Sequence, residues 1–451
     1  MIGRTALARI AFQITRPEAL EKSRTVRNLE TVTRQELEAF QRERLVRLLE
    51  HAAETVPYYS ETLTEAEVVD EGDVQLNKFS DVPVLTKETL RGEEDRLRSS
   101  DPGEGIYTNT SGGTTGEPVD FLQDAKYLAW AKGNQHYYHR LAGRELGEPW
   151  VKLWGDAREI SGERKSIKTR LADAVLNRHV LNSYRMGESD MREHVAAINE
   201  IEPVDIEAYA ESIYELSRFI LEEELDVYSP NGILSTAGTL TEPMREVMED
   251  AFRTTVLDKY GSREVGSVAC ECPRQEGLHV FDHTHYVEVL DDEGEPVAPG
   301  EEGKLVITLL TNYTMPLIRY EIGDMAVKLD SACSCDQPFS TIESITGRVT
   351  DHFVTIDGEL VYPGYLRKLL YHEPWVEKYQ IRQLEEDRVV FRIVLTDEEP
   401  DRETTKRLTG ETQSLLGSET SVEFKYVDAI TVSESGKFRY TISDVTEKMG
   451  Y

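Results

Sequence analysis

The sequence predicts an α/β protein with a large N-terminal domain of helix-covered sheets, residues 1–347, and a small α+β domain, residues 348–451. A chain of 451 residues is longer than one hydrophobic core usually supports, so at least two domains are expected. Between residues 170 and 260 short apolar segments alternate with amphipathic ones, which is typical of sheets covered by helices. After residue 280 the pattern changes to hairpin strands around acidic, glycine-containing turns.

The first hundred residues are predicted to be mainly helical. The segment at the very start has apolar side chains near helical spacing, and two arginines interrupt any signal-peptide core, so we expect a helix that docks on the protein body. Residues 45–53 form another amphipathic helix, which Val56-Pro57 should end because the residue before proline disfavours helix. Thr86 is a candidate N-cap. The apolar positions of the first helix are Ile2, Ala6, Leu7, Ile10 and Ile14.

Later elements follow from the same hydrophobic periodicities. One long helix is predicted through Tyr127, Trp130 and Tyr138. Further helices are predicted at residues 192–201, 212–225, 242–252, 364–371 and 401–415, and strands at 151–154, 232–236, 254–257, 286–290, 304–309, 353–361 and 388–395.

The net charge of −33 opposes nonspecific binding to nucleic acid, because a phosphate backbone would be repelled over most of the surface. The acidic residues are spread along the chain, a pattern that suits a protein hydrated in high salt, and we therefore expect a halophilic source. No segment approaches the roughly 20 apolar residues of a membrane span. The 4 cysteines do not make a disulfide framework in a chain of this length, so a cytoplasmic protein is expected.

Residues 107–119, YTNTSGGTTGEPV, contain three glycines and five serine or threonine hydroxyls. Glycines allow backbone N–H groups to turn inward, and hydroxyls add donors, so such a segment can bind phosphate oxygens. The alternative is an ordinary flexible surface loop, and this segment alone does not decide between them.

Four further motifs follow in order: YGSRE at residues 260–264, RYEIGD at 319–324, GRVTD at 347–351 and SGKFR at 435–439. In the second of these, Asp324 is predicted to lie in a turn after an apolar strand. Each has an ordinary explanation, because carboxylates in turns often cap backbone N–H groups and a lysine near a terminus is usually solvated. All five motifs in this order favour one shared function over coincidence.

With these motifs the chain resembles the adenylate-forming enzymes, which comprise acyl-CoA synthetases and peptide-synthetase adenylation domains. It is most similar to the phenylacetate-CoA ligase-like branch, which includes proteins encoded with capsular polysaccharide genes. VPYY at residues 56–59, PVLTK at 83–87 and MPLIRY at 315–320 carry this closer likeness. The resemblance implies a large domain, a small mobile C-terminal domain, and joining of a carboxylate to the α-phosphate of ATP with release of pyrophosphate.

The resemblance also implies roles for individual residues. Glu264 would ligate Mg²⁺, Tyr260 would stack on adenine, and Asp324 would accept hydrogen bonds from the ribose. Lys437 would bridge the carboxylate and the α-phosphate, as a catalytic residue together with Glu264. Arg348 would contact the ribose region, and Asp351 would be the hinge about which the small domain turns. The implied nucleotide-binding residues are Thr110, Ser111, Gly112, Gly113, Thr114, Thr115, Gly116, Ala237, Gly238, Tyr260, Gly261, Ser262, Asp324 and Arg348.

The chain departs from the family pattern at three places. Glu117 stands where many relatives carry lysine or threonine, and Arg263 replaces a common threonine. No proline precedes Gly436 at the usual position.

Cys270 and Cys272 form one close pair, Cys333 and Cys335 another, and His279 follows the first pair. Thiolates and imidazole suit tetrahedral zinc, although Cys-x-Cys spacing is only suggestive. The resemblance implies Cys272, His279, Cys333 and Cys335 as zinc ligands with Cys270 left over. A four-cysteine site and a set of buried thiols are the alternatives, and His283 and His285 are interpreted as strand residues.

The expected function is therefore an ATP-dependent ligase that forms an acyl-adenylate and then an acyl-CoA thioester. The alternatives are transfer to a non-CoA acceptor in surface polysaccharide or cofactor biosynthesis, and a non-catalytic nucleotide-binding protein. Expected partners are a small carboxylate and coenzyme A or another acceptor, and a homodimer is left open. Candidate acyl-pocket residues, which are equally well explained as packing residues, are Trp130, His136, Tyr137, Trp154, Tyr209 and residues 235–238.

The charge makes a testable prediction about salt. Dialysis from about 1 M to about 0.01 M KCl lengthens the Debye length from about 3 Å to about 30 Å, so carboxylate repulsion should unfold the protein. Circular dichroism before and after dialysis measures the loss of helix. Full stability at low salt would contradict the halophilic interpretation.

Overall fold

The structure, a computed structural model, describes residues 4–70, 72–111, 119–155, 173–174, 176–183, 186–329, 332–348, 352–356, 358, 360–361, 366–367, 369–370, 373–396, 400–430 and 439–448. The chain divides into two compact units. The first unit consists of Met1–Ile322 and Val327–Ser344, and the second consists of Gly323–Ala326 and Ile345–Tyr451. The predicted boundary between residues 347 and 348 lies close to the division at Ser344.

The helices of the first unit are α1 (Arg4–Thr15), α2 (Pro17–Leu29), α3 (Arg34–Thr55), α4 (Pro57–Glu65), α5 (Lys87–Gly92), α6 (Ala125–Leu141), α7 (Glu188–Ile201), α8 (Ala210–Glu222) and α9 (Glu242–Phe252), with a 3₁₀ helix at Leu76–Asp81. Within the described residues, no helix is both long enough and apolar enough to span a bilayer.

The strands up to residue 348 are β1 (Val69–Asp70), β2 (Asp73–Val74), β3 (Tyr107–Thr110), β4 (Asp120–Gln123), β5 (Trp150–Leu153), β6 (Arg178–Leu181), β7 (Asp205–Tyr209), β8 (Gly232–Thr236), β9 (Val256–Ser262), β10 (Gly266–Glu271), β11 (Leu278–Val280), β12 (His285–Leu290), β13 (Glu302–Leu309), β14 (Tyr320–Lys328) and β15 (Thr341–Arg348).

Eleven strands form one sheet in the order β12-β13-β14-β15-β11-β10-β9-β8-β7-β5-β6. The last five strands of this order pair in parallel, whereas β9, β10, β11 and β15 pair antiparallel. The sequence predicts a change from alternating strands and helices to hairpin strands, and the sheet changes correspondingly from parallel to antiparallel pairing. Helices cover both faces of the parallel half, which explains why β7 and β8 are buried along their whole length.

Successive residues of the central strands point to opposite faces and so enter two separate cores. Ile233 and Val256 pack with α7, α8 and α9, in a core that includes Ile213 and Met248. Leu234 lies on the other face with α2 and α6. The helix-covered sheet that the sequence predicts is therefore the observed architecture.

Several helix starts follow directly from local sequence. Thr33 and Glu36 form a capping box at α3, and the Thr86 side chain accepts from the Thr89 N–H at α5, as predicted. Asp124 caps α6 in the same way. The chain departs from expectation at Pro57, which ends α3 but also starts α4, because proline is well accommodated at the first position of a helix.

The prediction that the apolar positions of α1 dock on the protein body is wrong for the described part of the helix. Ile10 and Ile14 are 47% and 74% exposed, whereas Phe12 is buried and its ring lies 4.8 Å from that of His136. Phe12 therefore anchors the helix.

Charged side chains are buried beside the central strands. The Lys259 ammonium on β9 lies 2.5 Å from the Glu207 carboxylate on β7. Burial opposes ionisation of Glu207, but the ammonium groups of Lys259 and Lys152 bring its pKa down to about 2. Nearby, His139 bonds to Asp205, and burial raises the pKa of Asp205 to about 8.

The second unit has its own core. The Ile381 and Phe391 side chains pack there against the Leu408 side chain of a helix. The predicted helix at 401–415 and strand at 388–395 are present, whereas half of the predicted helix at 364–371 lies outside the described residues. The elements are β16 (Phe353–Val354), β17 (Leu360–Val361), β18 (Val376–Glu385), β19 (Arg388–Leu395), α10 (Arg402–Leu416), β20 (Ser421–Tyr426), β21 (Thr441–Ser443) and α11 (Asp444–Lys448), with sheet order β20-β19-β18-β21.

Candidate active site

The glycine-rich segment is held at its base by a hairpin of β3 and β4. Thr110 pairs with Asp120, and its hydroxyl donates to the Asp120 carboxylate at 2.7 Å. Beyond the strands, Ser111 N–H donates to Val119 O and Val119 N–H donates to Ser111 Oγ, both at 2.9 Å. Thr110 and Ser111 therefore close the stem of the loop. Gly112, Gly113, Thr114, Thr115, Gly116 and Glu117 lie outside the described residues.

The YGSRE motif forms the end of β9 and the turn into β10. Tyr260 and Gly261 are strand residues, and Ser262 pairs with Gly266. A Cβ at Gly261 would lie 2.4 Å from the Gly266 carbonyl oxygen, so only glycine fits here. The Ser262 hydroxyl accepts from the N–H groups of Glu264 and Val265 at 3.2 and 3.3 Å. Ser262 thus shapes the turn that carries Glu264.

Gln123 joins the loop hairpin to this turn. Its side-chain amide is 1% exposed and donates to the carbonyl oxygens of Arg263 and Glu264 at 3.1 and 3.2 Å. The Arg263 guanidinium in turn donates to the Thr110 carbonyl oxygen at 3.4 Å. The stem of the phosphate-type loop and the predicted metal-binding turn, separated by about 140 residues, therefore meet through hydrogen bonds from side chains to backbone carbonyl oxygens.

Glu264 is 7% exposed, yet its carboxylate makes no hydrogen bond or ion pair with any residue that the structure describes. The carboxylate oxygens are therefore free to accept a cation. Hard cations such as Mg²⁺ prefer carboxylate oxygens, so the site fits the predicted metal role.

Ala237 and Gly238 follow β8 directly. Because β8 and β9 are parallel, with Thr236 opposite Lys259, the two residues lie beside Tyr260. Ala237 has a left-handed backbone with φ of 62°, and a Cβ at Gly238 would lie 2.3 Å from a Glu211 carboxylate oxygen. The Glu211 side chain thus packs directly against the Gly238 backbone at the carboxyl end of the sheet, and only glycine fits there.

The strand order β6-β5-β7 creates a switch point, because the chain leaves β5 toward one side and later returns on the other. Ligands of such sheets bind at the carboxyl ends of the strands beside this point. Trp154 follows β5 and Tyr209 ends β7, and their ring centroids lie 4.0 Å apart. The Lys152 ammonium lies 3.8 Å from the Trp154 ring centroid. An aromatic pair therefore lies at the carboxyl ends of β5 and β7, beside the switch point.

The remaining predicted residues belong to the second unit or to undescribed segments. Asp324 is half-buried within β14, not in a turn as predicted, and the preceding Gly323 has φ of 85°. Arg348 ends β15, and its side chain is outside the description. Asp351 and Lys437 lie outside the described residues, so their predicted roles are untested.

Four predicted zinc ligands form a separate cluster in the first unit. Cys272 Sγ lies 3.6 Å from Cys333 Sγ, and Cys335 Sγ lies 3.5 Å from His279 Nε2. The four potential ligand atoms all lie within 4.8 Å of one another. Cys270 is buried in the core beside α6 and is not part of this group of described residues. The cluster is therefore a three-cysteine, one-histidine arrangement.

Tetrahedral zinc, with bonds of about 2.3 Å to sulfur and about 2.0–2.1 Å to nitrogen, would separate two sulfurs by about 3.8 Å and sulfur from nitrogen by about 3.5 Å. The observed distances fit this geometry. The Glu276 carboxylate also accepts from the Ser334 N–H and hydroxyl at 2.7 and 2.9 Å, which holds the Cys333–Cys335 turn in place. Burial lowers the pKa of His279 to about 4, so the imidazole is neutral at pH 7, as a ligand must be.

Sequence reasoning missed Gln123 and Asp120, which position the loop. Neither belongs to a recognisable motif, and their partners at Arg263 and Thr110 depend on long-range pairing or on strand register. The only local signal near these residues is Asp124, an aspartate directly before the long helix, which is the N-cap of α6.

Comparisons with known proteins find a matching family model and related chains. Residues 353–444 match the family model of the CapK C-terminal domain. A phenylacetate-coenzyme A ligase from Thermus thermophilus is 30% identical over 374 residues, covering 78% of this chain and 79% of that protein. Protein CapK from Staphylococcus aureus is 24% identical over 392 residues, covering 86% of this chain and 85% of that protein.

Among solved structures, a crystal structure of 2-hydroxyisobutyryl-CoA ligase in the postadenylation state superimposes with a TM-score of 0.73. The two chains share 18% sequence identity, and the match covers 94% of this chain and 93% of the other. This likeness shows the fold.

The link through Gln123 predicts the effect of a substitution. Gln123→Leu removes the donor to two buried carbonyl oxygens and should destabilise the protein by about 1–3 kcal/mol, measured by urea unfolding. Gln135→Leu, on half-buried Gln135 of α6, is the matched control and should cost less. Equal stability of Gln123→Leu and wild type would contradict the link.

Proposed function

The chain belongs to the phenylacetate-CoA ligase family of adenylate-forming enzymes, and we propose on that basis that it activates a carboxylic acid with ATP and transfers the acyl group to coenzyme A. The observation that carries the proposal is the junction at Gln123, where the stem of the glycine-rich loop meets the turn of Glu264. Through this junction the glycine-rich segment and the Glu264 carboxylate would act on the same nucleotide and metal ion.

In the first half-reaction, a carboxylate oxygen of the substrate attacks the α-phosphorus of ATP, the bond to the bridging oxygen breaks, and pyrophosphate leaves. Residues 110–116 would donate hydrogen bonds to the β- and γ-phosphates, and Glu264 would hold Mg²⁺, which offsets phosphate charge. Lys437 would contact both reacting anions and reduce their repulsion.

The nucleoside would lie across the carboxyl ends of β8 and β9. Tyr260 would stack on the adenine. Asp324 and Arg348 would contact the ribose.

The Trp154–Tyr209 pair supports an acyl site at the switch point. Two aromatic faces favour an acid with an apolar or aromatic body.

In the second half-reaction, the thiol sulfur of coenzyme A attacks the acyl carbon, the acyl–phosphate bond breaks, AMP leaves, and the thiol proton goes to solvent. Turning of the small domain about Asp351 would move Lys437 away and admit the thiol. The match of residues 353–444 to the CapK C-terminal domain supports a second candidate, transfer to a sugar hydroxyl or an amino group.

We propose further that Cys272, His279, Cys333 and Cys335 bind a structural zinc ion. Burial raises the pKa of the Cys333 thiol to about 12, so a bound cation is what would hold it as a thiolate at neutral pH. The ion would tie the end of β10 to β11 and to the loop before β15.

Pyrophosphate release with a panel of carboxylic acids tests the activity. Glu264→Gln and Lys437→Ala should each lower the rate about 10²–10³-fold, because each removes charge compensation at the phosphates. Lys425→Ala, which changes an exposed lysine on β20, should leave the rate unchanged.

Assays with and without coenzyme A separate the candidates. An acyl-CoA product supports the leading proposal, whereas pyrophosphate release that needs an amine or a sugar instead supports the second candidate. A folded protein that binds ATP and releases no pyrophosphate with any acid would be a non-catalytic nucleotide-binding protein.

Metal analysis by mass spectrometry tests the zinc proposal. The wild type should contain about one zinc per chain, and Cys335→Ser should lose zinc and melt at a lower temperature. Cys270→Ala is the matched control and should retain the metal. Wild-type protein with only a trace of zinc would refute the proposal.

A further inference from the structure

A cavity of about 300 Å³ with several arginines in its wall lies in the first unit, among α1, α2, α6 and the segment after α6. Its volume is at the lower end of the range for small-molecule sites. None of its lining residues belongs to the glycine-rich loop or to the YGSRE turn. The lining residues are Arg9, Gln13, Leu20, Ser23, Arg24, Arg27, His136, Arg140, Arg144, Glu145 and Leu146.

The charge of this cavity is opposite to that of the chain as a whole, whose net charge is −33. Five arginines line it against one glutamate. Arg27 pairs with Glu145 at 2.7 Å and Arg140 with Glu30 at 2.6 Å. Arg24 has no ion pair or hydrogen bond among the described residues. Cations therefore exceed anions at the cavity wall.

Two polar side chains of the wall are more than nine-tenths buried. His136 is 9% exposed and makes no hydrogen bond with a described residue, and its only ring contact is with Phe12. Arg144 is 5% exposed, and its Nε lies 3.1 Å from Asp205 Oδ1 without forming a hydrogen bond. Buried polar groups usually form hydrogen bonds, so the Arg144 Nε–H, which has an ion pair with Asp205 but no hydrogen bond, is a donor that a further acceptor could satisfy.

The positive potential is also visible in the neighbouring groups. Burial, followed by the charges of Arg144, Lys132 and Arg140, lowers the pKa of His136 to about 3. An anion in the cavity would relieve this repulsion.

We propose that the cavity is a binding site for a small phosphate-bearing molecule. Guanidinium groups from three helices and from the loop after α6 can form forked hydrogen bonds to several oxygens of one phosphate, and a phosphate supplies up to two negative charges in one group. A bound phosphate would also join α2 to α6 and to the loop of Arg144. The site is independent of the proposed ligase activity.

Calorimetric titration of the full chain with inorganic phosphate and with glycerol 3-phosphate, at constant ionic strength, tests the proposal. The wild type should bind both with a Kd of about 1 mM or tighter, and acetate should not bind. Arg24→Gln/Arg27→Gln should weaken binding at least about tenfold, because each lost charged hydrogen bond costs about that factor or more. Arg144→Gln should do the same.

Arg47→Gln, which changes an exposed helical arginine with one carboxylate partner, is the matched control and should bind as wild type does. Glu264→Gln should also bind normally, which separates this site from the proposed nucleotide site. If Arg144→Gln does not fold, the affinity of Arg24→Gln/Arg27→Gln, which changes two exposed arginines of α2, decides the test. Absence of saturable binding, equal binding of acetate, or unchanged affinity in Arg24→Gln/Arg27→Gln would overturn the proposal.

Discussion

The two hydrogen bonds from the Gln123 amide to the carbonyl oxygens of Arg263 and Glu264 are the constraint on which the candidate active site depends. They connect a hairpin that closes a glycine-rich loop to a turn that projects a buried carboxylate. The next residue, Asp124, caps α6 and accepts from the Thr314 hydroxyl at 2.9 Å. Two adjacent residues therefore orient the loop, the turn and the long helix behind them. An amide suits this position because it can donate twice without carrying charge into the interior.

Fold class was predictable because local patterns and global architecture agree in this chain. The helix at Glu242–Phe252 and the strand at Gly232–Thr236 lie where their periodicity predicts them. Helix α4 was missed because proline was interpreted only as a stop signal, although it also starts helices. The turn expected at Asp324 is part of a strand, since sheet pairing overrides a local glycine signal.

The candidate site was predictable where short motifs carry it and not where distant segments meet. Tyr260, Gly261 and Glu264 belong to one contiguous motif, whereas the partners of Gln123 depend on the register of separate strands. The arginines that line the cavity among α1, α2 and α6 could not have been grouped from the sequence. Arg9, Arg24 and Arg144 come from three segments, and no spacing in the sequence relates them.

The buried Lys259–Glu207 pair has a consequence for the neighbouring tyrosine. Side chains alternate along β9, so Lys259 and Tyr260 must point to opposite faces of the sheet. A slip of one residue would exchange these faces and leave a buried ammonium without its carboxylate, at a cost of several kcal/mol. The orientation of the Tyr260 ring is thus enforced by an ion pair that never touches it. A loss of activity after substitution of Glu207 should therefore be attributed first to altered alignment of β9 and only then to a role of Glu207 in the reaction.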